Sequence, residues 1–299
     1  MATLYTHQEE NIRKTWMLMS VFFMIVIALG YVVSRMYNNP AILYFFVIFS
    51  VGMNIVSYWY SDKIALTLAR AHPATREQYF DFYTLVENLA ITAGLPMPKI
   101  FAIEDDAPNA FATGRDKNHA VVAVTTGLLA MMTKAELEGV VAHEMSHIGN
   151  KDMLVSTVAV VLVGFVTIVS DMLIRSAIFG GNRDDREGNG LFMILGIIFS
   201  ILAPIFATLI QLAISRKREY LADASGALLT RYPEGLASAL EKIGGYTKPM
   251  NSPLNSPSTA IAHLYIANPF GSNKIANKVS NLFSTHPPIE DRVKILREM

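Results

Sequence analysis

The chain has no cysteine among its 299 residues. Disulfide scaffolds, thiolate metal sites, iron–sulfur clusters and cysteine nucleophiles are therefore excluded, and any metal centre must be built from imidazole and carboxylate. Charge is scarce too: Asp, Glu, Lys and Arg make up 17% of the residues, against about 25% in an average soluble domain. The 25 basic and 25 acidic side chains cancel, which leaves neither a net field nor a basic arm for nucleic acid. Hydrophobic residues take up the difference, at 52% of the chain. That excess points to segments that live in lipid.

Four runs fit this description. Trp16 to Val33 and Ala41 to Tyr60 carry no charge over 18 and 20 residues. Met153 to Ser170 is free of charge for 18 residues, and its span can be taken on to 174; Leu191 to Ser215 gives 25 residues interrupted only by Pro204 and Gln211. About 20 apolar residues in a helix cross the roughly 30 Å of hydrocarbon. The first run lacks a small-residue cleavage site and is soon followed by a second, so it reads as a retained span and not as a signal peptide. Asp171 and Arg175, spaced i,i+4 beyond the third run, read as an interfacial ion pair. Arg13 and Lys14, Lys63 and Arg70, and Arg216 to Arg218 lie on one side of this arrangement. The positive-inside rule puts that side, with both termini, in the cytoplasm.

The expected organisation is a mainly α membrane protein with four transmembrane helices and a cytoplasmic α+β domain holding a small sheet. Residues 1–60 form an N-terminal membrane hairpin (spans 16–33 and 41–60). Residues 61–152 are the first half of the cytoplasmic domain, 153–215 a second hairpin (spans 153–174 and 191–215), and 216–299 the second half. Arg76 to Ala93 reads as an amphipathic helix stopped at Gly94. Lys99 to Ile103 and His119 to Thr125 read as strands, joined through Asn109 to Thr113 and a turn at Gly114 to Asn118. Tyr246 to Ser258, rich in Pro, Asn and Ser, reads as a long loop. Pro287 and Pro288 open a last helix with Ile289, Val293 and Leu296 on its apolar face.

The chemistry concentrates after Thr133-Lys-Ala-Glu136, which has the form of a capping box. The helix it starts runs through His143-Glu144-Met-Ser-His147 and can stop at Gly149. Two His four residues apart project from one helix face and can converge on one ion. Glu144, rotated by about 100° from His143, suits a group that acts on water at the ion without ligating it. With 7 His in the chain, chance would supply about 0.01 such H-E-x-x-H matches. A catalytic zinc takes three protein ligands and keeps one position open. The third is a His or a carboxylate, and Glu219 has the best setting, just beyond the fourth apolar run. On a continuing helix Glu219 and Asp223 share a face, so that Asp223 can accept a hydrogen bond from a ligand imidazole. The alternative for Arg216 to Asp223 is a basic cuff at a membrane boundary.

Together, His143-Glu-Met-Ser-His147, Arg216-x-x-Glu219-Tyr220-x-Ala222-Asp223, Thr285-His286-Pro287 and Asn109-Ala-Phe-Ala-Thr-Gly114 resemble the HtpX group of membrane-embedded zinc metalloproteases, related to the Ste24-type CAAX proteases. The resemblance covers nearly the whole chain, and it implies that the cytoplasmic α+β domain is zincin-like. It implies one Zn2+ per chain held by His143, His147 and Glu219, with Glu144 as general base and acid. It also implies that Asn109 contacts substrate and that His286 stabilises the oxyanion. The plainer readings are a turn cap for Asn109 and a packed side chain for His286. His263 reads as structural, and His7, His72 and His119 as surface residues. The implied activity is zinc-dependent endopeptidase cleavage of misfolded membrane proteins in quality control and stress response, at the cytoplasmic face of a multi-pass cell-membrane protein. The implied partners are membrane-protein substrates, the lipid bilayer, the chain itself through self-cleavage, and other membrane quality-control proteases, with no nucleic acid. An extended substrate would add as a strand beside Ala120 to Thr125. The rival readings are a non-catalytic zinc-binding membrane protein, or a metal sensor. A transporter is disfavoured by spans nearly free of charge.

Overall fold

The architecture follows from a computed structural model, which describes residues 4–159, 161–162, 165–166, 175, 216–246 and 287–299. The first two apolar runs form helices α1 (Leu4–Met36) and α2 (Pro40–Trp59). The turn between them is short, with Asn38 at positive φ and the Asn39 side chain accepting from Ala41 N ahead of Pro40. Pro at the first helical turn loses no intrahelical hydrogen bond, so it is well placed to start α2. The segments Glu9–Arg35 and Pro40–Trp59 are long and apolar enough to cross a membrane. Tyr44, Phe45, Ile48 and Ile55 of α2 are exposed, an apolar surface that suits lipid and not water. The structure starts α1 well before Trp16, so a polar helical turn containing Asn11 and Thr15 extends the first apolar run and meets the end of α6. Both of these side chains are buried.

The third apolar run is described only at its beginning. Residues 152–159 are helical, and Leu154, Val158, Ala159, Leu162 and Val166 pack against Leu18, Met19, Phe22 and Val26 of α1. The rest of that run, Asp171, the whole of the 191–215 run and the 247–286 segment with His263 and His286 lie outside the described residues.

The remaining elements are α3 (Ser61–Leu68), β1 (His72–Pro73), α4 (Phe80–Ala93), β2 (Lys99–Ile103), β3 (Ala110–Thr113), β4 (Val121–Thr125), α5 (Thr126–Met131), α6 (Lys134–Asn150), α7 (Arg216–Thr230), α8 (Pro233–Gly245) and α9 (Ile289–Arg297). The four strands form one sheet in the order β1-β2-β4-β3, with β2 parallel to β4 and the other pairs antiparallel. Val121-Val-Ala-Val-Thr125 does not alternate between apolar and polar because both faces of β4 are covered, as in a central strand. Val122 and Val124 face the core made with α4, α6, α8 and α9, while Val121 and Ala123 pack with Ala65 and Leu66 of α3.

Several sequence expectations change in detail. Residues 76–79 precede α4 as a turn, so the helix starts at Phe80, although it stops at Gly94 in the left-handed conformation (φ 64°). Asn109 to Thr113 is more than a link, because its last four residues are strand β3. His119 belongs to a single helical turn ahead of β4. Helix α6 runs through Gly149 and stops one residue later, with Lys151 taking the left-handed conformation (φ 57°). The Ala120–Thr125 segment pairs on both sides, which leaves no free edge there for an added strand. Among the described residues the outer edge near the histidines belongs to β3.

Candidate metal centre

The capping box forms as its residues require: Glu136 N donates to Thr133 Oγ1 at 3.4 Å and Thr133 N to Glu136 Oε2 at 2.8 Å. Lys242 of α8 adds an ion pair to the same Glu136 carboxylate at 2.7 Å. Burial disfavours the charged carboxylate, but these donors outweigh it and hold its pKa below the ordinary 4.5. The start of α6 is thereby fixed, and with it the rotation of everything that follows. His143 and His147 emerge one turn apart with rings at 89° to each other and centroids 4.8 Å apart.

Helix α7 crosses α6 closely. A Cβ on Gly226 would stand 2.9 Å from the His143 backbone nitrogen, so the approach is open only to glycine. This crossing carries Glu219 to the two imidazoles. His143 Nε2 and His147 Nε2 are 3.2 Å apart, and Glu219 lies 3.6 Å from the first and 3.7 Å from the second. Three nitrogen and oxygen ligands at about 2.0–2.1 Å around a tetrahedral ion would be separated by about 3.3 Å. The three side chains thus span the edges of such a site, and ligand atoms from all three lie within 4.8 Å of one another.

The other ring nitrogens decide which lone pairs point inward. His143 Nδ1 lies 2.9 Å from Asp223 Oδ1, a short contact bent away from the N–H direction. His147 Nδ1 lies 3.3 Å from Asp152 Oδ2. A carboxylate at each Nδ1 favours the tautomer with the proton there, leaving both Nε2 atoms as donors to an ion. Asp223 is gripped in turn by Arg292 of α9, through Nε at 2.8 Å and Nη2 at 2.7 Å. Arg292 is completely buried, and its Nη1 stands 3.9 Å from Glu219 Oε2.

The electrostatics favour a cation. Burial pushes the His143 pKa down, but Asp223 and Glu219 beside it prevail and raise it to about 10. His147 is likewise raised, with Asp152 and Glu219 overcoming its desolvation. Asp223 is desolvated as well, yet His143 beside it and the Arg292 guanidinium bonded to it hold it down to about 2. Carboxylates that attract a proton this strongly onto imidazole attract a metal ion by the same field.

Glu144 is buried on the same helix, and its Oε2 accepts a 2.8 Å hydrogen bond from Ala112 N of β3. The outer edge of β3 therefore faces the histidine pair. Asn109, just before β3, is buried, and its backbone N–H donates to Thr125 Oγ1 at 2.8 Å. His119 is exposed and paired with Asp116, and His72 lies 3.8 Å from Glu104; neither joins the cluster. Asp152 and Arg292 are absent from the sequence-based site. Both left a signal: Asp152 is a charge at the threshold of an apolar run, and Arg292 falls on the same helical stripe as Ile289, Val293 and Leu296.

The model of peptidase family M48 matches residues 77–299. A protein described as a protease HtpX homolog from Thermoanaerobacter pseudethanolicus is 47% identical over 99% of this chain and 98% of its own length. Another, from Tropheryma whipplei, is 44% identical over 99% of this chain and 98% of its own. A crystal structure of S. mikatae Ste24p has a TM-score of 0.49 and 17% identity, covering 96% of this chain and 65% of that one. With a family match over most of the chain and full-length relatives well above 40% identity, the chain belongs to peptidase family M48 and is a membrane metalloprotease.

Proposed function

We propose that the protein is a zinc-dependent endopeptidase that cleaves membrane proteins, misfolded ones in particular, at the cytoplasmic surface of the cell membrane. The observation that carries this reading is the convergence of His143 Nε2, His147 Nε2 and Glu219 within 3.2–3.7 Å, each imidazole backed by a carboxylate. His143, His147 and Glu219 would hold the ion. Two imidazoles and a carboxylate with no thiolate suit zinc in a catalytic site. When bound, the ion supplies Lewis acidity toward the scissile carbonyl and makes water acidic near neutral pH.

The chain's own residues supply the rest. Asp223 and Asp152 hold the imidazoles in the ligating tautomer. Glu144, steadied by Ala112 N–H, takes a proton from the attacking water and delivers it to the leaving amine. His286 donates to the oxyanion and Asn109 contacts the substrate chain. An extended substrate would lie along the outer edge of β3, where backbone hydrogen bonds bind with little demand on sequence. That suits a clearance enzyme, and such an enzyme can also cut its own copies.

The domain division proposed is the one in the sequence: hairpins at 1–60 and 153–215, with catalytic halves at 61–152 and 216–299. Arg218 directly precedes Glu219, and residues 152–159 pack on the apolar α1. A site beside the membrane surface follows, within reach of cleavage points next to a transmembrane helix. The test is self-cleavage of the purified full-length protein in detergent. Wild type with zinc should fragment, and a chelator should stop it. Glu144→Gln should lose at least about a thousandfold in rate while keeping its zinc. Zinc retention with unchanged cleavage in Glu144→Gln would refute the mechanism, and bound zinc with no peptidase activity in wild type would favour a metal sensor.

A further inference from the structure

A membrane anchor needs only apolar side chains, yet α1 buries an asparagine. Asn11 is 3% exposed, and a buried amide is costly unless its donors are matched. Both Nδ2 hydrogens have acceptors. One is the carbonyl of Asn150, 3.2 Å away, at the last residue of α6. The other is Asp152 Oδ1, in a short contact. The left-handed turn at Lys151 brings Asp152 back alongside His147, so that Oδ2 of the same carboxylate meets His147 Nδ1 at 3.3 Å. Arg218 Nε approaches Oδ1 from α7 at 3.9 Å. Asp152 therefore stands where α1, α6 and α7 meet, with one oxygen turned to the imidazole and the other held from the membrane helix.

We propose that Asn11 is a positioning residue of the metal centre: by holding Asp152 Oδ1 it aims Oδ2 at His147, making the first membrane helix a working part of the site. This rests on the zinc-hydrolase reading above. An asparagine suits the place because it offers two donors and no charge; an aspartate would repel Asp152, and an aliphatic residue would leave the carboxylate free to turn. A plain helix cap, satisfying only the Asn150 carbonyl, would leave His147 indifferent to the residue at position 11.

The test uses full-length protein in detergent, stripped of metal and titrated with zinc against a competing chelator. The variants are Asn11→Leu, the milder Asn11→Ser, Asp152→Asn, the double variant Asn11→Leu/Asp152→Asn, and Thr15→Val as a neighbour on the same buried face. Loss of the carboxylate partner of a ligand costs tenfold to a hundredfold in metal affinity, so Asp152→Asn should fall by about that, and Asn11→Leu and Asn11→Ser by about threefold to tenfold. Because Asn11 acts through Asp152, the double variant should bind zinc no more weakly than Asp152→Asn alone. Asn11→Leu should also lower kcat while leaving KM for a peptide substrate unchanged, and Thr15→Val should stay within about twofold of wild type throughout. Wild-type affinity in the Asn11 variants, or losses that simply multiply in the double variant, would overturn the proposal. If wild type binds no zinc, or binds it equally well without His143 and His147, the hydrolase reading itself fails.

Discussion

His143 and His147 stand one turn apart on one helix, but the regions that hold them differ. His143 is held from the interior of the catalytic domain. Asp223 of α7 meets it, and Arg292, from the far end of the chain, closes on Asp223 with two hydrogen bonds. Every member of that chain is almost wholly buried. His147 is held from the side of α1, by Asp152 at the start of an apolar run, with Asn11 of α1 and Arg218 around it. Its side chain keeps 14% exposure. The interior flank is thus a charge-paired clamp out of reach of water. The other flank is a hydrogen-bonded relay whose anchor is α1, a helix long and apolar enough to cross a membrane. One flank can therefore be disturbed only by breaking the fold of the domain, whereas the other is open to whatever moves α1.

Breaking the interior clamp should cost most in stability. Arg292→Met removes the guanidinium from the buried charge cluster it forms with Asp223, His143 and Glu219, a change worth about 3–5 kcal/mol. Thermal denaturation of the metal-free protein should therefore show a large drop, with weaker zinc retention alongside. An unchanged melting temperature would mean that Arg292 does not carry the clamp. The relay through α1 should respond differently: Asn11→Leu should weaken zinc binding by about threefold to tenfold while shifting the melting temperature less than Arg292→Met does. The smallest effect should come from the start of α6, which positions both flanks. Glu136 has a lowered folded pKa, so its contribution is present above the ordinary 4.5 and is lost as pH falls through the depressed folded value. Its Lys242 partner is partly exposed, which limits the pair to under about 1 kcal/mol. Melting curves of wild type and Glu136→Gln should differ slightly at neutral pH and converge in acid. A gap that widens on acidification would contradict that assignment.

How much of this could be read from residues alone depends on whether the partners are local. His143, Glu144 and His147 are legible because 3.6 residues per turn fixes their relation, and the capping box fixes where the helix begins. Glu219 and Asp223 are legible as a pair for the same reason; their approach to the histidines depends on Gly226, whose meaning appears only with α6 beside it. Asp152 is held to His147 by a left-handed turn at a lysine, a conformation that sequence does not announce. Asn11 and Arg292 act across 141 and 69 residues of chain, and no periodicity encodes such contacts. Ala110-Phe-Ala-Thr113 does not announce itself as strand β3 because it is short and carries two alanines, which have little strand preference. Its identity comes from pairing with β4. The first span was legible as an apolar run, but its helical extension to the polar side was not, since Asn11 and Thr15 look like a solvated turn until their partners are seen.

The central claim is that one ion sits between the two flanks, gripped by both histidines and by Glu219. Zinc-edge absorption spectroscopy on the zinc-loaded full-length protein, compared with Glu219→Gln, tests it most directly. The expected spectrum is that of a four-coordinate site with two imidazole nitrogens and two oxygens at about 2.0–2.2 Å, with a loss of zinc occupancy when Glu219 is replaced. A spectrum with fewer than two imidazoles, or one left unaltered by the Glu219 replacement, would contradict it.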